Sequence, residues 1–394
     1  MPRHLRSPRQ SRVPAAVLHT ALALGESGSR LEDQYWEAEL GASLSRCLRQ
    51  GQDALVEDLL SQLQQRHAVA YESVLELLET LSESGCDESR QWLLWHAPMA
   101  AWTRYRLPGG PLREATAQAL LEALAAEVFA PGVKLRLIPE LLTLESMPRG
   151  FSQTYAWQQA LLRQLGEPAL DVASRPDTPR EEVPPMLADG RYLVGIAACP
   201  TGMPIWRWQT PEGREAGRAA VHERWTAELK RLLGAQFNGC HVEYLLPEAW
   251  FTSHRQADRS LRPMAIQSSV AFLESSLGWA PDAIRAVVAA CGADGIHAEE
   301  IRIGFTAKGS SDVVHGAVWP LMGDQASGDE QADLGLPVID LLRQCGLREI
   351  RRIPGVLTSE FCEECNVPLY PDPSGQLVHA ELPEDASLDP PAFH

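Results

Sequence analysis

Apolar positions recur at helical spacing through the first part of the chain. In "RLEDQYWEAELGASLSRCLRQG", Leu31, Tyr35, Trp36, Leu40, Leu44 and Leu48 fall on one stripe, and Gly51 follows as a stop. "DALVEDLLSQLQQ" continues with Leu55, Leu59, Leu60 and Leu63, and "AYESVLELLETLSESG" with Val74, Leu75, Leu77, Leu78 and Leu81 before Gly85. "LREATAQALLEALAAEVF" and "FSQTYAWQQALLRQLG" repeat the pattern. The period predicts an almost entirely helical stretch from about Val13 to Gly166, with short connections that make neighbouring helices antiparallel. No fixed repeat runs through it, so it reads as a packed bundle or layer and not as a peptide-binding array.

"DVASRPDTPREEVPPMLADG", Asp171 to Gly190, holds four prolines and mixed charge. Proline lacks the amide donor, so this stretch is neither helix nor interior strand, and it reads as a linker. Past it the period changes. "RYLVGIAACP" predicts a strand, "TGMP" a turn and "IWRWQ" a returning strand. The helix "REAGRAAVHERWTAELKRLLG" and the strand "CHVEYLLP" follow. A second set has the strand "EEIRIGFTAKG", the returning strand "VVHGAVWPL", the acidic loop "GDQASGDEQADLG", the helix "LPVIDLLRQCG" and the strand "REIRRIPG". Between the sets lie the helix "LRPMAIQSSVAFLESSLG" and the strand "AIRAVVAACG".

The shared element order predicts an internal duplication of a β-β-α-β unit, with Gly195 answering Gly304. The expected architecture is α+β: an all-α helical domain over residues 1–170, the linker over 171–190 and an α+β domain of two β-β-α-β units over 191–356. A CxxC hairpin tail over 357–394 completes it. Hairpins and crossing helices argue for a sheet with one helical face.

Composition narrows the function. Forty-five per cent hydrophobic and 22% charged residues over 394 positions describe a globular chain with a sizeable core. A net charge of −17 opposes binding to nucleic acid or an anionic membrane. No apolar run is long enough to span a bilayer. "MPRHLRSPRQSRVPAAVLHTALALGESG" reads as a basic arm entering a first helix, because His19 and Thr20 interrupt what would be the core of a signal peptide. Six of the eight cysteines are scattered without framework spacing, which suits a reducing compartment and predicts a cytoplasmic protein.

The strongest chemical signal is "FCEECNVPLY". Cys362 and Cys365, two residues apart, can reach one tetrahedral ion, and Asn366 tolerates the left-handed turn that such a loop needs. "VPLY", "PDPSG" and "QLVHAEL" then read as strand, turn and strand, like the hairpin of a zinc ribbon. No second Cys pair follows. His379 is the nearest further candidate ligand and Cys345 the next, with His315 or His394 conceivable through folding. A hairpin held by packing without metal is the competing reading.

"FTAKGSSDVVHG" gathers Lys308, Asp312 and His315 around a Gly-Ser turn that could hold a phosphate or carboxylate; a polar hairpin tip is the plainer reading. "AWTRYRLPGGPL" joins aromatics with Arg104 and Arg106, either as a recognition loop or as a packed helix end. Arg255, Arg259 and Arg262 cluster near His254. There is no P-loop, G-x-G-x-x-G, H-E-x-x-H or G-x-S-x-G, so no enzyme class is indicated.

The runs "IRIGFTAKGSSDVVHGAVWPL", "FCEECNVPLYPDPSGQLVHAELPED", "SGSRLEDQYWEAEL", "AWTRYRLPGGPL" and "SVAFLESSLG" together resemble the bacterial family known as domain of unknown function 2863. The resemblance covers nearly the whole chain. It implies a proteobacterial cytoplasmic protein and brings no activity with it. Where that family often has glycine after the second knuckle cysteine, this chain has Asn366, which keeps the turn. Three functions are therefore expected, in descending order. The first is a non-enzymatic protein acting through protein contacts, with a candidate structural zinc at the hairpin. The second is an enzyme acting on a small anionic substrate in a cleft between the two units. The third is nucleic-acid binding through the knuckle, disfavoured by charge.

Overall fold

A computed structural model of the chain describes residues 13–102, 107–165, 188–321 and 334–383. The expected linker lies almost wholly outside these residues, as do Arg104, Arg106, His394 and most of the acidic loop.

The first four helices are α1 (Ala15–Gly25), α2 (Arg30–Arg49), α3 (Asp53–Arg66) and α4 (Ala68–Glu83). Local chemistry starts two of them. The Ser29 hydroxyl accepts from the Glu32 amide at 3.3 Å, and His67 Nδ1 accepts from the Ala70 amide at 3.1 Å, each satisfying a donor that the first turn leaves free. The predicted stripes meet in one core of Leu40, Leu44, Leu59, Leu63, Val74 and Leu78. Leu31 and Tyr35, at the start of the α2 stripe, stay outside it.

The chain then leaves the helical pattern. It forms β1 (Ser84–Cys86), β2 (Arg90–Trp102), β3 (Gly110–Pro111), α5 (Glu114–Ala123), β4 (Lys134–Leu137), β5 (Glu140–Leu141) and α6 (Phe151–Arg163). Next come β6 (Ala188–Pro200), α7 (Pro211–Leu233), β7 (His241–Tyr244) and β8 (Glu248–Ala249). This corrects the expectation of near-continuous helix up to Gly166. β2 is the centre of a sheet, antiparallel to β6 in unbroken register from Arg90↔Pro200 to Trp102↔Ala188. β4 flanks β6, while β1, β8 and β7 share the other edge of β2. The principal strands run β7-β2-β6-β4, all antiparallel, with α5 linking β2 to β4 and α7 linking β6 to β7. That is a split β-α-β-β-α-β arrangement.

The first sheet is covered on both faces. Trp95, Ala97, Met99 and Leu193 pack with Leu120 of α5 and Trp225 and Leu229 of α7. Leu94, Tyr192, Val194 and Ile196 pack on the opposite face with Trp157 of α6 and Trp250. A strand buried on both faces shows no polar alternation, which is why "RQWLLWHAPMAAW" carries no strand signature. Pro98 fits inside it because its carbonyl faces Leu245, at the gap where β7 gives way to β8. Leu245 O, which proline gives no backbone donor, accepts instead from Trp225 Nε1 at 3.1 Å.

α8 (Trp250–Leu277) crosses from this sheet to a second one. Trp250 and Ala257 of its first half belong to the first core, and Ile266, Val270 and Leu273 to the second. The second sheet contains β9 (Ile284–Gly292), β10 (Glu300–Ala307), β11 (Val313–Pro320) and, after α9 (Leu336–Gln344), β12 (Glu349–Thr358). Its order is β11-β10-β9-β12, with β12 parallel to β9 and the other pairs antiparallel. α8 and α9 cover one face. The hairpin of β13 (Tyr370–Pro371) and β14 (Leu377–Val378) lies on the other.

The α+β class stands, and the expected duplication is corrected. Ile205–Gln209 is not a returning strand: Trp206 makes a single bridge to Phe129, and Arg207–Gln209 is a 3-10 turn. The first sheet is a split β-α-β-β-α-β unit and the second a β-β-β-α-β unit, so the shared element order does not correspond to a shared topology. Among the described residues no helix is long and apolar enough to cross a membrane.

Candidate metal centre

The C-terminal hairpin is seated by shape. Gly304 and Gly316 are directly paired across β10 and β11. A Cβ on Gly304 would lie 2.2 Å from the Pro371 carbonyl oxygen, and one on Gly316 2.3 Å from the Tyr370 ring. Glycine at both positions makes the flat floor on which Tyr370 and Pro371 rest. Beside it, Arg302 is fully buried. Its guanidinium pairs with Glu300 at 2.7 Å and donates to the carbonyls of Glu360 at 2.5 Å and Leu369 at 2.7 Å. The same group lies 5.0 Å from the Phe361 ring centre. One side chain thus holds both ends of the segment that carries the cysteines.

Within that segment the backbone makes the loop a ligand turn. The Cys362 amide donates to Val367 O and the Asn366 amide to Cys362 O, both at 2.9 Å. Asn366 has φ 55°, the left-handed region that asparagine tolerates better than other side-chain residues. The turn brings Cys362, Cys365 and His379 together, with one donor atom of each within 4.8 Å of the others. Cys365 Sγ is 3.3 Å from His379 Nε2. The Cys365 and Glu364 amides, with the Cys365 side chain, hold the Cys362 thiol below its ordinary pKa. Glu381 approaches His379 Nδ1 at 3.9 Å, on the ring edge away from the cysteines. Two thiols and an imidazole are a donor set that could hold a metal ion.

The other predicted residues lie elsewhere. Cys345, at the end of α9, faces a cleft beside α8. His315 is on the helical face of the second sheet, bonded to the Ser269 hydroxyl at 3.1 Å and packed on Phe272 and Phe305. Burial pushes its pKa down to about 4. Lys308 and Asp312 are exposed at the β10–β11 turn, where Asp312 bonds Ser310. The structure does not bring these three together. Arg255 pairs with Glu79 at 2.6 Å, and Arg262 donates to Pro320 O and stacks over Trp319. The basic cluster is thus part of helix packing.

Arg302 is absent from the sequence-based candidates. In "IRIGFTA" the apolar residues Ile301, Ile303 and Phe305 alternate, which assigns Arg302 to the solvent face. That face is the one the hairpin covers. A second unforeseen feature is the histidine pair between β2 and α8. His96 and His254 have ring centres 4.4 Å apart, and burial holds both below the ordinary imidazole pKa. His96 Nε2 lies 3.0 Å from Trp250 O, so this pair is a neutral part of the core at the start of α8.

The fold and this centre define an α+β protein with two dissimilar sheets on a shared helix and a Cys-Cys-His group at its C-terminal hairpin. The chain belongs to the family described as protein of unknown function (DUF2863), whose pattern matches residues 2–393. No curated protein and no solved structure matches it.

Proposed function

We propose that this is a non-enzymatic cytoplasmic protein that works through protein contacts, and that Cys362, Cys365 and His379 hold a structural zinc ion that ties the cysteine turn to the C-terminal hairpin. The convergence of two thiols and one imidazole on a preformed turn carries this reading. Thiolate and imidazole donors suit zinc, whereas magnesium and calcium take oxygen. A tetrahedral ion takes its fourth ligand from water or from a further side chain such as His394, which lies outside the described residues. All eight cysteines are free, in keeping with a reducing compartment. Phe361, Val367 and Leu382 are exposed around the clip and offer apolar contact area. Glu360, Glu363, Glu364 and Asp372 make its surroundings acidic, which weighs against a nucleic-acid role. The separation of His315 from Lys308 and Asp312 weighs against an enzyme built on those three.

Elemental mass spectrometry of protein purified without chelator tests the reading. About one zinc per chain is expected, and none in the Cys362→Ser/Cys365→Ser variant. Zinc absent from both proteins, or retained by the variant, would overturn it.

A further inference from the structure

The two sheets approach each other around the middle of α8 and leave a cleft of about 440 Å³. Trp102, at the end of β2, and His241, at the start of β7, form its wall from the first sheet. Gln267, Val270, Ala271 and Glu274 of α8 and Cys345, just after α9, form the rest. This is the junction between the two sheet units, where small-molecule sites recur, and its size falls in the usual range for them.

The chemistry of the wall has a sign. Its described lining includes one carboxylate, one imidazole, one indole, one amide and one thiol, and no lysine or arginine. Glu274 acts inside the cleft: after burial, its charge is the second influence raising the Cys345 thiol. An anionic ligand would meet this carboxylate, and no lysine or arginine of the described lining would compensate it. A cationic ligand would meet a carboxylate, an amide that can accept, and an indole, a ring whose face attracts positive charge through its quadrupole.

We propose that this cleft binds a compact organic ammonium ion, with its charge at Glu274 and its apolar body against Trp102 and Val270. The site is independent of the metal centre, which lies on the opposite face of the second sheet.

The test is ligand-observed saturation-transfer NMR on the full chain with benzylamine, benzyl alcohol and benzoate, three molecules with one ring and different charge. Benzylamine is expected to bind, benzyl alcohol to bind more weakly and benzoate to give no transfer. Glu274→Gln keeps shape and removes charge, and Glu274 is exposed, so the fold should be retained. That variant should weaken benzylamine by about fivefold or more. Trp102→Leu should weaken both benzylamine and benzyl alcohol, with circular dichroism confirming its fold. Cys362→Ser/Cys365→Ser should leave binding unchanged, which separates this site from the zinc clip. Benzoate binding as well as benzylamine, an unchanged affinity in Glu274→Gln, or no transfer to benzylamine would each overturn the proposal.

Discussion

Arg302 extends from β10 into the seam between the second sheet and the hairpin. It satisfies two backbone carbonyls that flank the cysteines and pairs with Glu300. Arg302→Ala would take the guanidinium from Leu369 O, from Glu360 O, which keeps the Leu369 amide at 3.1 Å, and from Glu300, which keeps only the Ser359 hydroxyl at 3.4 Å, a loss of about 3–5 kcal/mol for a buried pair of this kind. Urea denaturation should show that loss. Arg302→Lys should recover only part of it, because one ammonium cannot reproduce the fork. A midpoint close to wild type in Arg302→Ala would remove the residue from this account. At this scale the sequence was legible where chemistry is local. The Cys362 and Cys365 spacing, the turn at Asn366 and the proximity of His379 all follow from neighbouring residues. Arg302 was not legible, since nothing local says that a hairpin some sixty residues later covers its face of the strand. Cys345 looked like a ligand on sequence distance alone, and α9 carries it to the other side of the sheet.

Helices and strands join at the end of α4, where Glu83 accepts the Phe251 amide at 2.9 Å and so caps α8. Burial is the main influence lifting the Glu83 carboxyl from 4.5 to about 7; the Phe251 amide opposes it, and nearby Glu79 adds to it. The folded protein therefore holds this proton more tightly than the unfolded chain. The associated stability is complete below about pH 4.5 and is lost as pH rises through about 7. Glu83→Gln keeps an acceptor for the amide without the charge. It should be more stable than wild type at pH 8, by about 2 kcal/mol after allowance for partial exposure, with no gain at pH 4. Thermal unfolding at the two pH values checks this, and an equal effect at both would contradict it. Amphipathic helices were legible because one face alone is buried. β2 was not, because helices cover both its faces and erase the alternation on which strand recognition depends.

The whole molecule is organised around α8, whose halves belong to different cores. The α+β class could be read from the change of period after Gly190. The strand order could not, because β2 pairs with β6 across some ninety residues and the proline-rich segment lies between them. The duplication inferred from element order failed for the same reason: order along the chain does not fix neighbours in a sheet. What closes the molecule at its C-terminal end is the hairpin on the second sheet, seated by the glycine floor and Arg302, and the proposed metal ion ties the cysteine turn to that hairpin. Hydrogen-exchange mass spectrometry of metal-free protein, before and after one equivalent of zinc, tests this directly. Zinc should slow exchange across residues 361–379 and leave β2 and β6 unchanged, and the Cys362→Ser/Cys365→Ser variant should not respond. Exchange in 361–379 that is indifferent to zinc, or that slows equally in the variant, would contradict the clip.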